Sequence, residues 1–399
     1  MNITRIDEGD VYKGDELAGH LERRADDIVF RYDAVYLESN LPAVATSLPK
    51  SPHVVRTTGG AVPPFFAGLL PEGRRLTALQ RGLKTSADDE FSQLLAVGRD
   101  CIGDVRIFPR GAAVDSAPAF ARAIGEPGKV SFVELFDSEV GERIGRGRSI
   151  PGVQDKLSDS MLSLPVRHRG EAVILKLSPP AIPRLVENEA FFLGLAARSG
   201  LDVPRFSVVH DRNGVSGLVV NRFDRHNDKG YLTRIAQEDA VQLAARWPSA
   251  KYQMSTREVF EVVTSVSAAV PVALTRLLRL FAFSYLIANG DLHGKNVSVY
   301  YRNDSWSVTP AYDLVTTAPY GDLRMALDLD GRDMGIRGSM FVAFVGRFGI
   351  SEKVARRILN ELADAVEASI DELGAIGFDD RRTIALEKTI RARIEDVRA

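Results

Sequence analysis

The sequence predicts an α+β fold in which a strand-rich N-terminal part is followed by an all-helical C-terminal lobe. Two observations carry that expectation. Up to Val220 the apolar residues come in short alternating runs closed by turn formers, the pattern of half-buried strands. Beyond Asp224 they come at helical spacing in longer stretches. No internal repeat is present, which argues against a solenoid or a propeller.

Taken in order, residues 28–36 (IVFRYDAVY) alternate as a strand does. Residues 63–73 (PPFFAGLLPEG) set two aromatics and two leucines between prolines and a glycine, which reads as a core or interdomain plug. Residues 88–97 (DDEFSQLLAV) form a short helix entered through Ser86 or Asp88 as cap and ended at Gly98. The composition of residues 141–158 (GERIGRGRSIPGVQDKLS) shifts to Gly, Arg and Ser, which predicts a mobile loop. Strand-like runs follow at 161–165 and 172–177 (AVILKL), then a helix over 187–199 (ENEAFFLGLAARS) and a strand over 215–220. Helices are predicted over 238–246, 256–267, 272–289 and 352–373, with a strand-like run at 297–301.

Composition narrows the function. The 399 residues are 45% hydrophobic and 26% charged, ordinary values for a folded protein with a large core. The net charge of −2 gives no global electrostatic reason to bind nucleic acid or an anionic membrane. Cys101 is the one cysteine, so no intrachain disulfide and no thiolate metal site can form, and a reducing compartment is expected. Arg5, Asp7, Glu8 and Asp10 stand where a signal peptide needs an apolar core, and the most apolar stretch, residues 259–286, is broken by charges and Pro271. A cytoplasmic protein without a membrane span is therefore expected.

The chemistry concentrates in residues 289–296 (NGDLHGKN), directly after an apolar helix and before a strand. Asp291 is followed five residues later by Asn296, and seventeen residues after that by Asp313 in PAYDL. That order suits phosphoryl transfer: one carboxylate takes or orients the nucleophile's proton, while an amide oxygen and a second carboxylate are hard ligands for magnesium on ATP phosphates. The bland alternative for each residue alone is a cap or turn former. Upstream, Lys176 interrupts the apolar run VILKL ahead of a helix carrying Glu187 and Glu189, the arrangement by which kinases hold phosphates through a lysine paired to a helix carboxylate. Its alternative is an edge-strand lysine with a snorkelling stem. The loop SIPGVQDK at 149–156 contains Gly152, whose backbone can approach phosphate closely, but it is neither a Walker sequence nor a repeated-glycine loop. His293 lacks the partners of a transition-metal site and reads as structural, and Lys295 reads as a charge partner for the transferring phosphoryl group. Trp247 reads as packing, and the Lys251–Tyr252 pair has no derivable role.

These segments taken together resemble HipA-type serine/threonine protein kinases, the toxins of bacterial type II toxin–antitoxin pairs. The resemblance is carried by SIPGVQDKLS (149–158), ILKLSPP (174–180), ENE (187–189), NRFDR (221–225), NGDLHGKNVS (289–298) and PAYDL (310–314). Further upstream it is carried by VYKG (11–14), FFAGLLPEG (65–73) and LLAVGRDCIGDVRIFP (94–109). It implies a two-lobed kinase fold: an N-terminal subdomain over 1–110, a kinase N-lobe over 111–225 and a helical C-lobe over 226–399. It implies that Asp291 is the catalytic base, that Asn296 and Asp313 hold Mg2+, that Lys176 contacts the ATP phosphates, and that His293 and Lys295 belong to the nucleotide site. Val153, Gln154, Asp155 and Lys156 would cover ATP, the backbone around Arg222 and Phe223 would form the adenine hinge, and Ser149 would be an autophosphorylation site. Asn221 stands where the family often has Glu. The implied activity is ATP-dependent phosphorylation of a protein such as an aminoacyl-tRNA synthetase, with growth arrest and persistence as the outcome. The implied partner is a HipB-like helix-turn-helix antitoxin, through which alone the chain reaches DNA. A small-molecule phosphotransferase and an inactive antitoxin-binding corepressor are the alternatives.

Overall fold

A computed structural model describes residues 3–114, 123–140, 161–228 and 231–399. The first sheet is antiparallel and contains β1 (Glu8–Lys13), β2 (Glu16–Arg24), β3 (Asp27–Tyr32), β4 (Val55–Thr57) and β5 (Val105–Pro109), in the order β4-β3-β2-β1-β5. Gly14, at φ +62°, makes the tight turn between β1 and β2 without a Cβ to strain. Val11, Leu21, Phe30 and Ile107 point from this sheet into a core shared with Phe65, Phe66 and Phe91. The plug of residues 63–73 is thus a core element, as its composition predicts. The strand expected over 28–36 ends at Tyr32. Asp33 stops it by accepting the N–H groups of Val35 and Tyr36, which starts the short helix Ala34–Glu38.

The second sheet contains β6 (Leu162–His168), β7 (Glu171–Leu177), β8 (Phe206–His210) and β9 (Ser216–Asn221), antiparallel throughout in the order β6-β7-β9-β8. In β7, Val173, Leu175 and Leu177 enter a small core with Phe132 and Phe136. Lys176, by the two-residue period of a strand, faces the other way. On that other side lies the helix Leu185–Arg198, whose Phe192, Leu193 and Leu195 join the largest core, that of the C-terminal half. A hairpin of β10 (Arg225–Asp228) and β11 (Tyr231–Arg234) leads into that half.

The C-terminal half is built around the helix Val270–Leu286, buried along Leu274, Leu277, Leu278, Phe281 and Tyr285. The helices Thr256–Val266, Gly338–Gly346, Glu352–Glu367 and Asp380–Arg398 surround it. It is not all-helical as the sequence predicts. β12 (Gln237–Asp239), β13 (Ser298–Arg302) and β14 (Ser305–Val308) form a three-stranded sheet. The segment read as one helix over 238–246 divides because Glu238 and Asp239 pair with β13, and only then does Asp239 cap the helix Ala240–Leu243. The α+β class and the two-lobed kinase-like arrangement hold. Among the described residues, no helix is long and apolar enough to cross a membrane.

Candidate active site

Lys176 on β7 extends its ammonium into the cleft between the two halves, 2.6 Å from Glu189 Oε1 of the helix Leu185–Arg198. The same ammonium donates to Asp313 Oδ1. Burial works against the charge of Lys176, but the two carboxylates outweigh it and raise its pKa. Glu189 is pushed up, first by burial and then by the neighbouring Asp313, with Lys176 opposing both. One cation shared by two carboxylates leaves one of them easier to protonate. Glu187, the other acidic residue of the same helix turn, pairs instead with Arg184 at 3.4 Å.

Asp313 lies at φ +54°, a conformation uncommon for any residue with a side chain. Its Oδ2 accepts from Asn296 Nδ2 at 3.1 Å. Tyr312, beside it, donates its hydroxyl to the Lys295 carbonyl at 2.7 Å, which ties the Asp313 segment to the loop bearing Asn296. Asp291 follows the central helix after a sharp turn in which Ala288 takes φ +56°. Its N–H donates to Asn289 Oδ1 at 3.0 Å, and Gly290 N–H donates to Thr317 Oγ1 at 2.8 Å. Lys176, Glu189, Asp291, Asn296 and Asp313 thereby line one open cavity, with Met161, Ser163, Leu185 and Val315 completing its wall.

The other expected site residues lie differently. His293 is buried, its N–H donating to Asn296 Oδ1 at 3.2 Å and its ring edge-on to Tyr252, and it does not line this cavity. Nor does Lys295: its ammonium is drawn to Asp239 at 3.3 Å and donates to the Gly68 carbonyl at 3.1 Å. Arg222 donates its backbone N–H to Ala172 O, and its guanidinium joins a buried network. In that network Arg222 and Arg225 hold Asp100 at 2.9 and 2.8 Å, and both also hold Asp224. Phe223 packs its ring against Tyr300 and Tyr312, next to Asp313. Asn221 donates to Glu171, so its side chain is spoken for. Ser149, Val153, Gln154, Asp155 and Lys156 lie outside the described residues.

Sequence reading missed three contributors. Asn289 supports the Asp291 backbone, which an Asn two residues ahead of Asp could have signalled as an Asx turn. Tyr252 donates its hydroxyl to Asp291 Oδ1 at 2.8 Å. Glu72 approaches Lys251 and Lys295 from the N-terminal part, a contact no local pattern encodes.

A small antiparallel sheet that carries a lysine paired to a helix glutamate, set over a helical half that presents an Asp–Asn–Asp series, defines a protein-kinase-like fold. Within that class the chain belongs to the HipA family. The model of the HipA-like C-terminal domain matches residues 148–370. That of the HipA N-terminal domain matches residues 9–108. A putative kinase of Sinorhizobium fredii is 31% identical, covering 94% of each chain. The serine/threonine-protein kinase toxin HipA of Shewanella oneidensis is 26% identical, covering 90% of this chain and 89% of its own. The solved complex of Shewanella oneidensis HipA with HipB and operator DNA contains a chain that superposes with a TM-score of 0.79 at 21% identity, covering 98% of this chain and 99% of that one.

Proposed function

We propose that the chain transfers the γ-phosphoryl group of ATP to a serine or threonine of a cytosolic protein, as the growth-arresting toxin of a toxin–antitoxin pair. The observation that carries this reading is the convergence of Lys176, Glu189, Asp291, Asn296 and Asp313 on one cavity. The names of the relatives support it, and the match to a complex of HipA, HipB and DNA supports a HipB-like antitoxin as partner. An aminoacyl-tRNA synthetase is the substrate the family resemblance suggests.

In this reading Asp291 accepts the proton of the attacking hydroxyl, and Lys176, held by Glu189, neutralises the nucleotide phosphates. Asn296 and Asp313 would hold magnesium. Their donor types, a carboxylate and a carboxamide oxygen, fit a hard cation; to hold it, Asp313 would release Lys176 and Asn296 Nδ2, and Asn296 would turn toward it the oxygen that now accepts the His293 N–H. Among the described residues no three His, Cys, Asp or Glu side chains form a metal-binding group, so such an ion would complete its shell with phosphate and water oxygens. Bound there, it would offset the negative charge of the phosphates. The adenine ring would rest near Phe223, the residues 153–156 would close over the phosphates, and Ser149 would be autophosphorylated. Since the Arg222 N–H is already taken, hinge contacts would come from other backbone groups around it.

Incubating the purified chain with γ-labelled ATP and a cell extract tests the reading. A labelled protein band is expected. A labelled small molecule would make the chain a small-molecule kinase, and no label would leave it a corepressor.

A further inference from the structure

The hydroxyl of Tyr252 donates to Asp291 Oδ1 at 2.8 Å, and the Tyr252 ring stands edge-on to His293 with centroids 5.0 Å apart. One residue earlier, Lys251 is buried. Its ammonium lies 5.2 Å from the centroid of the Tyr252 ring and 3.3 Å from Glu72 Oε2. Its carbonyl accepts the Gly294 N–H at 3.0 Å. That contact is close-fitting, since a Cβ on Gly294 would meet Met254 Sδ at 2.6 Å and Val241 Cγ2 at 2.9 Å. Glu72 belongs to the N-terminal part, just ahead of the helix Gly73–Leu83, and its other oxygen lies 3.9 Å from Lys295. A carboxylate from the N-terminal part is therefore inserted between two lysines, one beside Tyr252 and the other within the loop that carries Asp291.

We propose that Tyr252 is a positioning residue for Asp291, and that Glu72 sets Tyr252 through Lys251. The N-terminal part then belongs to the phosphotransfer machinery. The proposal rests on the reading of Asp291 as the catalytic base. An aspartate carboxylate can rotate about its own side-chain bonds even when its backbone is fixed, as Asn289 fixes it here. A phenol held in place by ring packing is a directional donor to one carboxylate oxygen. With Oδ1 so engaged, the carboxylate is held in one orientation at the cavity wall, where it would take the proton of the substrate hydroxyl. This is the arrangement of a base oriented by a third group. Lys251 and Glu72 act one step back: the ammonium lies over the phenol ring, and the carboxylate fixes the ammonium.

The test uses the full chain and the initial rate of label transfer from ATP into protein of a cell extract, measured against ATP concentration. Tyr252→Phe is expected to lower the maximal rate by about 10- to 100-fold, the scale of a misplaced catalytic group, with the KM for ATP and the melting temperature little changed. Glu72→Gln is expected to lower the same maximal rate by a smaller factor. The double variant should be no slower than Tyr252→Phe alone, because the two act along one path. Glu72→Asp, which keeps the charge, should recover part of the rate lost in Glu72→Gln. A wild-type maximal rate in Tyr252→Phe, multiplicative losses in the double variant, no recovery in Glu72→Asp, or a phosphoryl group found on Tyr252 by mass spectrometry would each overturn the proposal. Asp291→Asn separates the two readings. If it is inactive while Tyr252→Phe is unaffected, only the positioning role falls. If it retains wild-type activity, the catalytic reading falls and this proposal with it.

Discussion

Lys176 and Glu189 stand 2.6 Å apart with side chains 9% and 2% exposed, so the ion pair is almost wholly removed from water. A pair this buried is held by its geometry and by its further partner Asp313 more than by any net gain in stability. In the proposed reading its value is that a lysine ammonium is fixed in the site before any nucleotide arrives.

The pair gives the chain a pH dependence. The Glu189 carboxyl is raised from the ordinary 4.5 to about 7, by burial first and by Asp313 opposite Lys176. A group that holds its proton more tightly when folded stabilises the fold most below its unfolded pKa, and that contribution is lost as pH rises through the folded value. The melting temperature should therefore fall between pH 5 and pH 8, and Glu189→Gln, which cannot titrate, should flatten the fall. Parallel profiles for the two proteins would contradict this.

The joint between the N-terminal part and the kinase-like part is ionic. Asp100 accepts from Arg222 and Arg225, and Gly103 N–H donates to Asp224 Oδ2 at 2.9 Å. Burial alone would raise the pKa of Asp224, but the two guanidinium groups and that N–H hold it well below the ordinary carboxylate range. Asp100→Ala should cost about 3–5 kcal/mol in denaturant unfolding, because two buried guanidinium groups lose a counter-charge. Asp224→Asn should cost a similar amount near neutral pH. A lowered carboxylate stabilises above its unfolded value and loses that contribution as pH falls below it, so the wild-type advantage over Asp224→Asn should shrink below about pH 4. A cost under about 1 kcal/mol for either variant would show that the joint is not held this way.

Gly290 leaves no room for a side chain. A Cβ there would meet the Arg324 carbonyl at 2.5 Å and Thr317 Oγ1 at 2.8 Å. Gly290→Ala must push the loop that carries Asp291 away from the 317–324 segment, and if Asp291 is the base as proposed, a shift of about 1 Å there should cost on the order of 100-fold in turnover. Turnover within a few-fold of wild type would mean that the loop yields more easily than its contacts suggest.

Asp313→Ala removes the carboxylate proposed to hold magnesium. ATP affinity in a magnesium titration should weaken and lose most of its magnesium dependence. Unchanged magnesium-dependent affinity would remove Asp313 from that role.

Much of the candidate site was legible because the residue types that suit phosphotransfer are packed into short stretches. Asp291 and Asn296 share one loop, and Lys176 stands out as a charge in an apolar strand. Glu189 could not be told from Glu187 until the helix showed which one faces Lys176. Lys295 carries the charge expected of a phosphate ligand, but Asp239 and Gly68, distant in sequence, draw it elsewhere. The role of Tyr252 could not be derived and Glu72 was silent, because their contacts join residues 39 and 179 positions from their partners. In the fold, the strand read over 28–36 failed where Asp33 capped a helix. The helix read over 352–373 breaks near Ser369, whose hydroxyl bonds back to the Ala365 carbonyl before the chain tightens into the 3-10 turns Ile370–Ile376.

The central claim, that Asp291 is the base of an ATP-dependent phosphotransfer, is tested most directly by Asp291→Asn. The swap keeps the size of the side chain and removes the proton acceptor. Label transfer from γ-labelled ATP to protein should fall at least about 1,000-fold, while ATP affinity and melting temperature stay near wild type. Transfer at a rate close to wild type would contradict the account.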